Sequence, residues 1–111
     1  YLIHQSSVSH LALNGGDYEI ELTSIDKFVR ENNLSVGLIK MDIEGYELNA
    51  LKGARKTIED FKPILLISIY HNGKQFIDAV KYVQDLALDY NIIIRHLGGP
   101  LRILETYMIA W

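Results

Sequence analysis

The sequence predicts an α/β domain: a mixed sheet of about five strands, three helices, and a last strand that runs antiparallel. Three observations predict it. Short apolar runs of strand character alternate with segments of helical period. The links joining the second, third and fourth strands each hold a helix and are long enough for a parallel crossover. The link before the last strand is a few residues around Gly98-Gly99-Pro100, which permits a hairpin and forbids a crossover.

Each element has its own signal. Residues 1–14 show weak periodicity, and Gln5-Ser6-Ser7 with Ser9 reads as loop, so residues 1–17 are expected to be a lead-in to an αβ core over 18–111. Gly15-Gly16-Asp17 is a turn signal. Tyr18, Ile20 and Leu22 alternate with Glu19 and Glu21, the period of a half-buried strand. Thr23 or Ser24 can cap the first helix, with Asp26 in its first turn, where the dipole favours an anion. Asn32-Asn33 ends it.

Residues 36–43 read as the second strand and 44–58 as one helix with Leu48, Leu51, Ala54 and Ile58 on one side. Gly53 inside that helix points to close packing against a neighbour, since Gly costs about 1 kcal/mol there relative to Ala. Pro63 opens the most apolar run, 64–70, which does not alternate and reads as a central strand covered on both sides. Residues 73–88 form the clearest helix, with Phe76, Val80, Val83 and Ala87 at helical spacing. Residues 90–96 and 101–111 are the last two strands, with Tyr107, Ile109 and Trp111 alternating against Met108 and Ala110.

Composition excludes several classes. The 111 residues suit one globular domain, and 49% hydrophobic with 23% charged residues argues against disorder. A net charge of −3 leaves no basic footprint for nucleic acid. No apolar run reaches the ~18 residues of a membrane span. Cys is absent, which removes disulfides, thiolate metal sites and a cysteine nucleophile, and fits a reducing, cytoplasmic setting.

Ligands in open α/β sheets bind beyond the carboxyl ends of the parallel strands. The predicted topology brings Asp42, Glu44, Tyr70, His71, His96 and Glu105 to that rim, because the last strand runs backwards and starts there. Each has a plainer reading. Glu44 and Glu47 sit in a helix first turn, where carboxylates are favoured, and Asp42 can cap that helix. His71 fits an exposed loop and His96 a polar turn, while Glu105 interrupts an apolar strand, which costs energy unless it is paired or exposed. Asp, Glu and His together also suit Mn, Fe or Mg, although no strong local metal motif is present and no metal is expected.

The stretch Leu38-Ile39-Lys40-Met41-Asp42-Ile43-Glu44-Gly45-Tyr46-Glu47, followed by Ala50-Leu51-Lys52-Gly53-Ala54, resembles the signature of the FkbM family of S-adenosylmethionine-dependent methyltransferases. Thr23-Ser24-Ile25-Asp26 resembles the family's helix start. Residues 67–71 and 104–110 are similar to the final strands of some members. The resemblance covers roughly residues 18–111 and implies the C-terminal half of a Rossmann-like class I methyltransferase fold. It implies O-methylation of a hydroxyl on a small acceptor, sugar or polyketide-like. Asp42 and Glu44 would then face the transfer site, with His71 as a second base and Tyr70, His96 and Glu105 toward the substrate.

The family's glycine-rich cofactor loop and ribose-binding acid are not found, because a cofactor loop needs strand, glycine turn, then helix. Gly15-Gly16 opens a strand instead. S-adenosylmethionine is thus expected to bind the complete enzyme rather than this segment alone. Without a first strand beside it, the strand at 36–43 is expected to be a bare edge, inviting self-association there or through residues 18–22. Two alternatives stay open: a non-enzymatic domain that self-associates, and a metal-dependent enzyme using Asp42, Glu44, His71 and Glu105.

Overall fold

A computed structural model of the chain describes residues 2–6, 22–70, 73–96 and 105–111. Its elements are β1 (Leu2–Ser6), α1 (Ile25–Glu31), β2 (Leu38–Asp42), α2 (Glu47–Lys52), α3 (Arg55–Phe61), β3 (Ile64–Ser68), α4 (Gly73–Asp85), β4 (Ile92–His96) and β5 (Thr106–Ala110). The strands form one sheet in the order β1-β2-β3-β5-β4. β1, β2 and β3 are parallel. β5 is antiparallel to both β3 and β4 and lies between them, so β4 points the same way as β3. The mixed α/β fold with a reversed last strand is therefore as expected. What the sequence left open was that β5 inserts between its two predecessors.

Alternation along the strands builds the core. Ile39 and Met41, Leu65 and Ile67, Met108 and Ala110 point to one face and are buried. They pack with Val29 of α1, Leu51 of α2, Ile58 of α3, and Ala79 and Val83 of α4. The four helices thus share that face. The opposite face carries Lys40, Leu66 and Ile109 in one lateral row, with Asp42, Ser68 and Tyr107 in the next. β3 is central as expected, but among the described residues helices cover only one of its sides, and Ile64 is exposed.

Three expectations need correction: residues 2–6 as loop, 36–43 as a bare edge, and 44–58 as one helix. Leu2–Ser6, expected as loop, is a strand in parallel register with β2 from Leu2↔Leu38 to Ser6↔Asp42. A polar segment with little pattern of its own takes extended form when a neighbouring ladder supplies hydrogen-bond partners, because strand preference is set largely by context. The strand at 36–43 is consequently no bare edge: β1 and β3 pair with its two sides, and association through it has no free ladder to use. The strand expected at 18–22 lies outside the described residues except for Leu22, which is exposed coil.

The single helix expected at 44–58 is two helices, broken at Gly53-Ala54. Gly53 has an ordinary φ of −75°. Its role is close approach: a Cβ there would stand 3.3 Å from Ser24 Cβ. Ser24 is the N-cap of α1, accepting from Lys27 N–H at 3.1 Å. α3 has no capping side chain of its own, since its N-cap is Ala54. Asp26 supplies the cap from α1. Its carboxylate accepts from Lys56 N–H (3.1 Å), Thr57 N–H (2.8 Å) and Thr57 Oγ1–H (2.7 Å). One residue thus ties two helices whose shared face supports β2.

Candidate active site

The turn after β2 explains the spacing of its acidic residues. Glu44 adopts φ 54° and Gly45 φ 102°, so the chain reverses within two residues. Gly45 lies where an L side chain is strained. Glu47 then enters α2 and turns back, its Oε1 accepting from Ile43 N–H at 2.9 Å while the residue is 2% exposed. A buried carboxylate is costly unless hydrogen-bonded. Here it satisfies a backbone donor and locks the turn. Glu47, read from sequence as a residue favoured by the helix dipole, is the clasp that holds Asp42 and Glu44 at the rim.

Asp42 ends β2 and faces away from the helices. The Tyr70 hydroxyl, two residues past β3, donates to Asp42 Oδ1 at 3.1 Å. Burial raises the Tyr70 pKa first, then the Asp42 charge and the hydrogen bond to it, with Glu44 adding a little. The phenol is thereby kept as an O–H donor. Tyr107 of β5 is also raised, mainly by burial, then by Asp42 and by Glu105. Two phenols therefore stand in the field of one carboxylate, with Glu44 and Glu105 flanking them.

Ser68 lies between these groups. It is in register with Tyr107 and one residue beyond the Met41/Ile67 pair, which sets it beside Asp42. Ser68 is 1% exposed, and its Oγ has no hydrogen-bond partner among the described residues. The Ser68 hydroxyl is near enough to Tyr70 to favour the phenolate slightly, in opposition to the larger effects of burial and Asp42, without completing a bond of ordinary geometry. Neither Ser68 nor Tyr107 was singled out from sequence. The available signal was a lone polar residue inside the apolar run 64–70, and a tyrosine in its lateral row.

The other expected residues divide. Tyr70, Glu44 and Glu105 gather around Asp42. His96 reaches the same rim but on β4, three strand positions from β2, roughly 14 Å at ~4.8 Å per strand. It also alternates with Arg95, whose register partner is Tyr107, and so belongs to the helix-bearing side. There its Nδ1 is 3.3 Å from Thr106 Oγ1. His71 lies outside the described residues. Among the described residues no three His, Cys, Asp or Glu side chains converge closely enough to hold a metal ion. No described helix is long and apolar enough to cross a membrane.

Gly37 and Gly73 have nothing within 4 Å of an added Cβ, and Gly53 is spent on Ser24. The glycines whose surroundings are described thus do not fit a cofactor loop, whereas the carboxylate and phenols of the rim suit a hydroxyl group.

Comparison with known proteins agrees with this geometry. The methyltransferase FkbM domain family matches residues 3–95. No curated protein matches the chain. A solved structure, methyltransferase FkbM from Methylobacillus flagellatus KT, is similar at 39% identity with a TM-score of 0.69. The likeness covers 78% of this chain and 22% of that one, so the chain spans about a fifth of its relative. The locked acidic turn, the reversed last strand and a match over most of the length lead to one assignment: this chain belongs to the FkbM methyltransferase family.

Proposed function

We propose that this chain forms the acceptor side of an S-adenosylmethionine-dependent O-methyltransferase acting on a hydroxyl of a small molecule, sugar or polyketide-like. The observation that carries the reading is the Tyr70–Asp42 hydrogen bond at the carboxyl rim of the parallel strands, presented by the turn that Glu47 clasps. Asp42 orients the acceptor hydroxyl and takes its proton as the oxygen is methylated. Tyr70 fixes the carboxylate's direction, and Tyr107 offers a second phenol beside it. Holding the hydroxyl in line contributes as much as basicity, because positioning removes entropy from the barrier. S-adenosylmethionine supplies the methyl group. On this reading the rest of the enzyme supplies the cofactor cradle, and the segment alone is inactive. A second copy, if one binds, would use the outer strands β1 or β4, since β2 is paired on both sides.

The test is Asp42→Asn in the full-length enzyme. Turnover is expected to fall about 10²- to 10⁴-fold, the usual worth of a general base. Affinity for S-adenosylmethionine is expected to stay within about threefold, below the ~1.4 kcal/mol that a tenfold change would need. Equal losses in both would make Asp42 a structural residue and overturn the proposal.

A further inference from the structure

The helical layer holds a cleft that methyl transfer at the rim does not use. It lies between α1 and α3, on the side of the sheet away from Asp42, and has a volume of about 260 Å³. Val29, Leu34 and Phe61 form its apolar wall, with the buried Thr57 beside them. Val29 belongs to the core, whereas Phe61 is 41% exposed, so the cleft runs from the core to solvent past an aromatic ring. The space exceeds the ~150 Å³ that holds a benzene and falls below the ~300 Å³ of a drug-sized pocket. It suits one ring with a short arm.

Four charged side chains border this space, and three are already matched. Asp26 accepts from Lys56 N–H, Thr57 N–H and the Thr57 hydroxyl, so its negative charge is directed into the start of α3. Lys56 and Asp60 form an ion pair at 3.1 Å. Arg30 remains. Among the described residues its guanidinium meets no carboxylate, whereas Lys27 pairs with Glu31 at 4.0 Å and Arg55 with Glu59 at 2.8 Å. An exposed arginine in water needs no partner. This one borders an apolar cleft, and a guanidinium takes a carboxylate through two parallel hydrogen bonds.

We propose that the cleft binds a small aromatic monocarboxylate, its ring against Val29, Leu34 and Phe61 and its carboxylate on Arg30. The wall takes the ring because contact removes apolar surface from water on both sides. Arg30 then selects an acid over a neutral molecule of the same shape. A cation gains nothing comparable, because it meets Arg30 and finds both acids already matched. An occupant bridges α1 and α3 beside the Asp26–Thr57 tie, and so stabilises the joined helices by mass action. The site stands apart from the acceptor reading and does not depend on it.

The experiment titrates this chain with 3-phenylpropionate and follows its backbone amides by NMR. Shifts are expected at Val29, Leu34, Thr57 and Phe61, saturating with a Kd of about 1–5 mM, as suits a ligand of about eleven heavy atoms. The neutral 3-phenylpropanol, nearly the same shape, should bind about five- to tenfold more weakly. Arg30→Gln should erase that difference and Arg30→Lys should keep part of it. Arg55→Gln, which removes a cation of α3 outside the cleft, should leave it intact. Arg30 and Arg55 are exposed, so these substitutions leave the core untouched, and Arg30→Lys carries the comparison if the glutamine variant does not fold. Shifts that do not saturate, or that centre on the rim at Asp42 and Tyr70, overturn the proposal. So do equal affinities for the acid and the alcohol, or equal effects of Arg30→Gln and Arg55→Gln.

Discussion

Removing the carboxylate of Asp26 tests how the two halves of the helical layer are joined. Asp26 accepts three hydrogen bonds across thirty residues of sequence, two of them from Thr57. Thr57 is 3% exposed, so its donors cannot turn to water without local opening. Losing a helix cap costs about 1 kcal/mol. Stranding a buried donor costs about 1–3 kcal/mol more. The Lys56 N–H is exposed and is resolvated at little cost. Asp26→Ala should therefore destabilise the chain by about 2–4 kcal/mol. Asp26→Asn keeps one oxygen for Thr57 and should lose only about 1 kcal/mol. Urea titration measures both; with a slope of ~1.5 kcal/mol per molar, the alanine variant's midpoint falls by about 2 M. Asp60→Ala serves as a control, because its ion pair with Lys56 is solvent-exposed and worth under about 1 kcal/mol. An Asp26→Ala midpoint matching that control, or equal losses for Ala and Asn, would refute the capping argument.

Two further substitutions separate roles that look alike on paper. Gly45→Ala should cost about 1–2 kcal/mol because its φ of 102° strains any L residue, while Gly53→Ala at φ −75° should cost less and depend on how Ser24 yields; thermal unfolding ranks them. Tyr90 donates to the Pro63 carbonyl at 2.7 Å, and burial pushes its pKa to about 12. The neutral form is favoured by folding, so this contribution is complete below pH ~10, the unfolded value, and is lost as pH rises toward 12. Discounted for partial exposure, it amounts to at most about 1–2 kcal/mol. Tyr90→Phe should flatten the alkaline fall in stability between those pH values, and an unchanged slope would contradict the assignment.

Much of this was legible in the chain itself. Apolar periodicity located α1, β2, β3, α4 and β4, because burial on one face leaves a regular imprint. Link lengths determined which strands run parallel and that the last runs back, since a short link cannot cross a sheet. The block from Asp42 to Ala54 carried the family, and Gly53 already spoke of a close neighbour. The tertiary structure alone decided the rest. Leu2–Ser6 becomes a strand only because β2 offers a ladder, which no local pattern records. The helix at 44–58 breaks because Asp26, far away in sequence, can cap its second half. Above all, which rim residues meet depended on strand order and pleat. Inserting β5 between β3 and β4 brings Tyr107 alongside Ser68 and sets His96 at the far strand, on the other side of the sheet.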